Sequence, residues 1–145
     1  MGRALATLHQ RSPDPTVPSQ TASEVANVRR VLTEGDEHPP PYQRVSSGAI
    51  EKSVATTPDA NEPVWTHGSP VVSSAVLVDS VVVFESGGAD GFDPPERDLA
   101  IALRSIAETF TSEVARTFLE GYEEAGGQLP KIEALDWYGL LAAFR

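Results

Sequence analysis

The sequence predicts a mainly helical fold that contains one small β-hairpin. Apolar residues recur at helical spacing in the first and last thirds of the chain, and two short valine-rich runs lie close together in the middle third. Segments rich in proline or glycine separate these parts. A chain of 145 residues, of which 40% are hydrophobic, is long enough for one domain with a modest core. We therefore interpret residues 1–145 as a single domain.

The first part, residues 1–64, is expected to hold short helices separated by proline-rich loops. An apolar face in residues 2–10 predicts the first helix. Thr21-Ala22-Ser23-Glu24 is a capping-box pattern, in which the threonine oxygen and the glutamate carboxylate satisfy free backbone donors at a helix start. That second helix is expected to end at Gly35. A weaker helical pattern covers residues 42–55.

The middle part changes from helical to extended character. Ala75-Val76-Leu77-Val78 and Val81-Val82-Val83-Phe84 are β-branched runs separated by Asp79-Ser80, a pattern that predicts a β-hairpin. Because both runs are almost continuously apolar, we expect the hairpin to be buried on both faces. Ser86 to Pro95 contains three glycines and two prolines and is expected to be a loop.

The last part, residues 99–145, carries three apolar stripes at helical spacing. Their members are Leu99, Leu103, Ile106 and Phe110, then Val114, Phe118, Leu119 and Tyr122, and finally Ile132, Leu135, Tyr138, Leu141 and Phe144. The second stripe follows the cap candidates Thr111 and Ser112 and stops at Gly126-Gly127. Three helices are therefore expected here.

The charge of the chain limits its partners. The net charge is −10, with two lysines against nine arginines and no basic cluster. Nucleic acids and anionic membranes are excluded as expected partners because their phosphates would be repelled. No apolar run approaches the roughly 20 residues that span a bilayer. The absence of cysteine excludes a disulfide framework and fits a cytoplasmic protein, which is the location we expect.

The motifs between residues 65 and 122 occur in an order that resembles a known family. Trp65-Thr66-His67-Gly68-Ser69 precedes the hairpin, Arg97-Asp98-Leu99-Ala100 follows it, and Phe118-Leu119-x-Gly121-Tyr122 comes last. This order is similar to the carboxy-terminal lobe of the aminoglycoside phosphotransferases and related small-molecule kinases of protein-kinase-like fold. Residues 1–9 look like the helix that begins this lobe. The resemblance therefore covers nearly the whole chain, with the catalytic loop, hairpin and metal loop in residues 65–98.

The resemblance implies three reactive positions, and all three differ from the family pattern here. In the family, His-Gly-Asp, an Asn five residues on and a later metal-binding Asp carry phosphoryl transfer. These positions are Ser69, Ser74 and Glu85 in this chain. A serine hydroxyl cannot accept a proton near neutral pH as a carboxylate can. Ser74 is a poorer Mg²⁺ ligand than asparagine, and the extra methylene of Glu85 displaces its oxygens.

Two further residues match the family without such a change. The resemblance implies that His67 and Asp98 brace the catalytic loop. The alternative is an ordinary loop histidine and an aspartate stabilised by the dipole at a helix start.

The resemblance also implies an amino-terminal lobe that holds the nucleotide phosphates with a glycine-rich turn and a lysine. The sequence begins where that lobe would end, so we expect this lobe to be absent. Neither Lys52 nor Lys131 lies on a strand suited to the role of that lysine. No cofactor is therefore expected.

These observations favour a non-catalytic, pseudokinase-like module that binds another chain or itself. The expected partners are a second copy, giving a homo-oligomer, or a kinase-like chain that would cover apolar residues such as Val71-Val72 and the hairpin. The alternative is a phosphotransferase of small hydroxyl compounds that uses ATP and Mg²⁺, with a nucleotide lobe supplied by another chain. A truncated remnant without a selected function is the third hypothesis.

Other candidate sites are weaker. Asp90, Asp93, Glu96 and Asp98 do not have the spacing of an EF-hand, and we interpret them as a solvated acidic loop. Gly87-Gly88-x-x-Gly91 lacks the Lys-Ser/Thr pair of a phosphate-binding loop. No Gly-x-Ser-x-Gly elbow surrounds Ser69, and the three histidines are scattered along the chain.

Overall fold

A computed structural model of the chain describes residues 1–11, 16–85 and 91–145. The α-helices of this part are α1 (Gly2–His9), α2 (Thr21–Glu34), α3 (Ser47–Val54), α4 (Pro95–Thr109), α5 (Ser112–Glu124) and α6 (Ile132–Ala143). The strands are β1 (Val64–Thr66), β2 (Ala75–Val78), β3 (Val81–Phe84) and β4 (Gly91–Asp93). Short 3₁₀ turns occupy Tyr42–Arg44 and Val72–Ser74. The predicted mainly helical class with a small hairpin is confirmed.

Helix α4 lies at the centre because it contributes to both apolar clusters of the core. One cluster joins α2, α3 and α6 to Ala100 of α4. The other joins α1 and α5 to the α4 residues Leu99, Ala102 and Ile106. Each cluster removes several large side chains from water, which is the main stabilising contribution in a domain of this size. None of the described helices is long and apolar enough to cross a membrane.

Helices α1 and α5 approach each other closely at Gly2. A Cβ atom on Gly2 would lie 2.1 Å from the carbonyl oxygen of Phe118, which is far inside van der Waals contact. Only glycine permits this backbone approach. The contact brings the end of α1, with His9, against Tyr122 of α5.

The predicted hairpin is confirmed. Strands β2 and β3 pair antiparallel in a register that places Val78 opposite Val81 and Ala75 opposite Phe84. Asp79 and Ser80 have φ angles of 48° and 66°, so both turn residues adopt the left-handed conformation that a two-residue type I′ turn requires.

The expected burial of both hairpin faces is wrong. Leu77 and Val81 are 72% and 60% exposed, and Val78 and Val83 are exposed as well. β-Branched runs signal extended backbone rather than burial. A two-stranded ribbon buries only the side chains that another layer covers, and here that side includes Phe84, which packs on the core.

Strands β1 and β4 form a second antiparallel pair, with Val64 opposite Asp93 and Thr66 opposite Gly91. Residues 91–93 were expected to be part of a loop, and that expectation is wrong. A strand of three residues beside two prolines is too short to show an alternation of apolar and polar residues. Its pairing partner is also distant in sequence, so the local pattern does not predict the pair. The ladder matters because β1 leads directly into His67 and β4 leads directly into α4.

Two details of the helices also differ from expectation. The residue before α2 is Gln20 and not Thr21. Neither the threonine nor the glutamate of the predicted capping box caps this helix. The Thr21 hydroxyl instead donates to Asp93 Oδ1 at 2.7 Å, because a buried carboxylate attracts it more strongly than a backbone amide. Ile132 and Phe110 lie at helix ends, where they are exposed rather than packed in the predicted stripes.

Candidate functional site

The loop after β1 is held by one buried carboxylate. Asp98, in the first turn of α4, accepts a hydrogen bond from the His67 amide at 2.7 Å and another from the Gly68 amide at 3.0 Å. Its side chain is fully buried. Hydrogen bonds to an ionised acceptor are strong, so they fix the loop to the centre of the fold. The helix-dipole alternative does not account for these two hydrogen bonds.

The His67 ring connects the same loop to the end of the hairpin. Its Nε2 atom donates to the Glu85 carbonyl at 2.7 Å, and its Nδ1 atom accepts from the Ser69 amide at 3.3 Å. The carbonyl can only accept, which assigns the ring proton to Nε2. The ring also packs on Phe84, with centroids 5.1 Å apart. The His67 ring therefore links the loop to the end of the hairpin.

Behind Asp98 lies a buried polar chain that the sequence did not reveal. His9 Nε2 is 3.3 Å from Asp98 Oδ2, and His9 Nδ1 is 2.8 Å from the Tyr122 hydroxyl. Burial, with the charges of Glu96 and Asp98, raises the pKa of Tyr122 well above its usual value, so this hydroxyl keeps its proton. The sequence assigned no role to His9, one of three histidines scattered along the chain. Its position in the last turn of α1 was the one available signal, and α5 supplies the partner.

A buried ion pair supports the loop from the other side. Arg97 donates through Nε and Nη2 to the two Glu24 oxygens at 3.0 and 2.8 Å. Burial opposes the Arg97 charge, but the hydrogen bond and charge of Glu24 raise the pKa of Arg97 above its ordinary value. Arg145, just after α6, donates to the Gly68 carbonyl at 2.8 Å and lies 3.4 Å from Glu24. Helices α2, α4 and α6 thus meet at the loop.

The solvated acidic loop expected near residues 90–98 is wrong for its described members. Asp93, Glu96 and Asp98 are all fully buried. Asp93 accepts from the Gln20 amide at 2.9 Å, and Glu96 from the Asn61 and Lys131 amides at 3.2 and 3.1 Å. Spacing alone could not show that distant backbone donors stabilise each carboxylate. Asp90 and the Gly87-Gly88 pair lie outside the described residues.

The three positions at which the family carries its reactive groups are placed as follows. Ser69 is half-buried at the end of the loop. The Ser74 hydroxyl donates to the Val71 carbonyl at 2.8 Å, within its own turn. Glu85 is exposed, and its amide donates to the Ser74 carbonyl at 2.8 Å. The β2–β3 hairpin therefore brings Ser74 and Glu85 together through their backbones.

The two positions that the resemblance assigns to Mg²⁺ offer one hydroxyl and one carboxylate. Mg²⁺ takes oxygen ligands in near-ideal octahedral geometry, commonly from one or two carboxylates. The Ser74 hydroxyl is engaged in its own turn, and Glu85 is the only carboxylate that the sequence assigned to the metal. Among the described residues, no group of three or more histidine, aspartate or glutamate side chains is arranged to hold a metal ion.

The resemblance also holds for the three-dimensional structure. No family model and no curated protein matches the sequence. The structure is similar to that of an aminoglycoside-3′-phosphotransferase of type VIII, with a TM-score of 0.77 and 24% identity over 99% of this chain and 60% of that chain. It is also similar to the aminoglycoside phosphotransferase APH(3″)-Id from Streptomyces rimosus, solved with ADP and streptomycin, with a TM-score of 0.72 and 18% identity.

A macrolide 2′-phosphotransferase of type I is similar as well, with a TM-score of 0.65 and 19% identity over 99% of this chain and 49% of that chain. The chain thus spans about half to three fifths of the length of these solved structures. At these identities the likeness shows the fold. It confirms the fold that the motif order implied.

Proposed function

We propose that this chain is a non-catalytic module of kinase-like fold that acts by binding another protein chain or a second copy of itself. The observation that carries the proposal is a contrast within one loop. Asp98 and His67 hold the loop with well-formed hydrogen bonds, while Ser69, at the position of the catalytic base, has no acidic group.

The chemistry of phosphoryl transfer explains why this contrast matters. The protein supplies positioning, a base or orienter for the attacking hydroxyl, and Mg²⁺ ions that neutralise charge. Ser69 can orient a hydroxyl but cannot take up its proton near neutral pH. Ser74 and Glu85 offer a hydroxyl and a longer carboxylate where the family has an amide and an aspartate, which supports a weak metal contribution as well.

The surface supports a binding role. Leu77, Val78 and Val81 on the hairpin are exposed. Next to the hairpin turn, a groove of about 710 Å³ runs between α1 and α5 and includes the exposed residues Phe110 and Val114. Exposed apolar side chains that lie together on a folded protein commonly mark an interaction site. The cysteine-free sequence supports the cytoplasm as the compartment of this module.

The braced loop also favours a second candidate function, that of an ATP- and Mg²⁺-dependent phosphotransferase of small hydroxyl compounds. Its nucleotide lobe would come from another chain. The support is the likeness to phosphotransferases, one of them solved with ADP, over about 60% of their length.

Calorimetry and a phosphoryl-transfer assay with Mg-ATP distinguish the two candidates. We expect the native chain to show neither binding heat nor a phosphorylated product. The variant Ser69→Asp/Ser74→Asn/Glu85→Asp restores the family residues, and Ser73→Asp, at an exposed neighbouring position, is the matched control. A phosphorylated product formed by the native chain alone would overturn the proposal, and activity only with a co-purifying kinase-like chain would favour the second candidate.

A further inference from the structure

A small cavity is lined by His9 and Tyr122, the two residues that lie behind Asp98. It has a volume of about 250 Å³ and lies between the end of α1, the segment before β1 and the end of α5. Its floor consists of buried residues and its rim of exposed ones. The floor residues are Ala6, His9, Pro95 and Tyr122, and the rim residues include Gln10, Glu62 and Gln128. Because pockets for drug-sized ligands occupy about 300–1,000 Å³, this volume suits a single side chain.

The polar lining of this cavity is acidic. Glu62 is the one acidic residue among the described lining residues, and neither lysine nor arginine is among them. The whole chain carries a net charge of −10, so its field attracts cations to this rim as well. A carboxylate accepts hydrogen bonds and donates none. Charge and hydrogen bonding at the rim therefore both favour a cationic donor.

The hydroxyl group at the floor is also an acceptor. The Asp98 carboxylate can only accept, which assigns the proton of His9 to Nε2, 3.3 Å away. His9 Nδ1 then accepts the Tyr122 hydroxyl proton over 2.8 Å, and burial raises the pKa of that hydroxyl well above its usual value. The Tyr122 oxygen keeps lone pairs but has no second proton to donate. An anionic ligand would therefore meet acceptors at both the floor and Glu62.

The walls between floor and rim suit a hydrocarbon stem. Ala6, Val64 and Pro95 present apolar surface, and Gly127 adds only backbone. A Cβ on Gly127 would lie 2.3 Å from Cε1 of the Tyr122 ring, so only glycine lets the backbone approach the floor this closely. Lysine combines a flexible four-carbon stem with a compact ammonium head. Such a side chain can bury its stem on apolar walls while its head reaches polar groups.

Exposed apolar surface next to the rim indicates a protein partner rather than a free amine. Leu129 follows Gln128 in the chain and is 60% exposed. The Asn61 side chain donates to the Leu129 carbonyl at 3.0 Å, which holds this apolar residue beside the segment that carries Glu62. Interfaces between proteins commonly anchor one side chain in a pocket and surround it with further contacts that exclude water.

We infer that this cavity is an anchor site for a lysine side chain of another protein chain. The inference rests on the proposed binding role and names the chemistry of the partner. A second copy of this chain is a poor source of that lysine, because it has only Lys52 and Lys131. Lys131 Nζ already binds Asp59 Oδ2 at 2.8 Å and the Ala60 carbonyl at 2.9 Å. The partner is therefore a different, basic chain, whose charge complements the acidic rim.

The test is a titration of ¹⁵N-labelled protein with blocked tripeptides, followed by amide chemical shifts. The probe is glycine-lysine-glycine. Its matched control is glycine-norleucine-glycine, which keeps the hydrocarbon stem and lacks the ammonium group, and glycine-glutamate-glycine carries the opposite charge. We expect only the lysine peptide to give saturable shifts, at the Gln10, Glu62 and Gln128 amides.

Variants separate the charge of the cavity from its shape. Glu62→Gln removes an exposed carboxylate and should weaken binding of the lysine peptide about threefold to fivefold. Val64→Phe keeps every charge, narrows the cavity and should weaken binding as well. Glu113→Gln, at the other end of α5, is the matched control and should leave the affinity unchanged. Thermal unfolding checks each variant, and Glu62→Gln decides the test if Val64→Phe does not fold.

Four results would overturn the inference. They are no saturable shift with the lysine peptide, equal binding of the norleucine peptide, unchanged affinity in Glu62→Gln, or self-association of the native chain that Lys52→Met abolishes. None of these results affects the proposed non-catalytic role. Turnover of Mg-ATP by the native chain would contradict that role and leave the lysine site unaffected.

Discussion

At the scale of single residues, Asp98 determines the shape of the candidate site. It is fully buried, receives two backbone N–H groups from the loop and lies beside His9. An ionised carboxylate in this position is stabilised only while its donors remain in place. The loop and the core therefore depend on the same side chain.

Replacement of Asp98 by asparagine should lower the free energy of unfolding by about 3 kcal/mol. The amide nitrogen would face an N–H donor of His67 or Gly68, and neither can accept its hydrogens. Urea unfolding measures the loss. Asp59→Asn, which removes an exposed partner of Lys131, is the control and should change stability by about 0.5 kcal/mol at most. Equal losses in the two variants would contradict the role of Asp98.

A second prediction at this scale concerns alkaline pH. Burial raises the pKa of Tyr138 to about 12, with Asp93 and Glu96 acting in the same direction. An unfolded tyrosine ionises near pH 10. Above that pH the unfolded chain loses the proton while the native chain keeps it, so stability is full below about pH 10 and falls as pH rises toward about 12.

Tyr138→Phe should make this alkaline loss of stability shallower, by up to about 1.4 kcal/mol per pH unit. The variant still loses some stability with rising pH, because the pKa of Tyr122 is raised as well. Urea unfolding at a series of pH values measures it. At neutral pH, the difference in the free energy of unfolding between the native chain and the variant measures the lost contact between Tyr138 and the Thr21 hydroxyl, and it serves as the control. An unchanged slope would show that the Tyr138 hydroxyl is not buried.

At the scale of elements, the hairpin turn carries local strain. Asp79 and Ser80 both have positive φ, and a serine in this conformation is less stable than glycine. The turn is nevertheless formed because the two valine-rich strands pair in register around it.

Ser80→Gly should therefore stabilise the protein by about 0.5–1 kcal/mol, since glycine adopts positive φ without a steric penalty. Thermal and urea unfolding measure the change. The same substitution at Ser53 in the last turn of α3, where the hydroxyl donates to the Ala49 carbonyl, should destabilise, because glycine has a lower helix propensity than serine. A loss of stability in both variants would contradict the strain at Ser80.

The elements also show which parts of the fold the sequence could predict. The helices and the hairpin were predictable because their apolar spacing and turn residues act locally. The β1–β4 pair and the buried acids were not, because the partners of Asp93 and Glu96 lie about 35 residues or more away in the chain.

The same limit applies to the candidate site. The loop residues His67, Ser69 and Asp98 were recognised through the motif order. His9 and Arg145 were missed, because only tertiary packing brings the ends of α1 and α6 to the loop. The exposure of Leu77 was missed as well, since a valine-rich run does not show whether another layer covers it.

At the scale of the whole molecule, charge repulsion opposes folding. The net charge is −10, and ion pairs such as Arg3 with Glu124 and Arg30 with Glu34 lie at the exposed surface. Exposed ion pairs of this kind contribute little to the stability of the native state. The excess negative charge, in contrast, is confined to a compact volume in the native state, and its self-repulsion is destabilising.

Sodium chloride should therefore stabilise the protein. We expect the urea midpoint to rise when the salt concentration is raised from about 20 mM to about 300 mM, because the screening length falls well below the size of the molecule. An unchanged m-value shows that the salt changes the free energy of unfolding without changing the surface exposed on unfolding. A midpoint that falls would show that the surface ion pairs outweigh the repulsion.

The two amides that Asp98 holds have a consequence for the timescale on which the loop moves. The His67 and Gly68 N–H groups can exchange with deuterium only when the loop separates from α4, so their exchange rates report how often the loop opens. A ligand that arrives at the loop meets a surface already ordered during folding. Its binding then loses little conformational entropy, and its association rate should reflect diffusion rather than rearrangement.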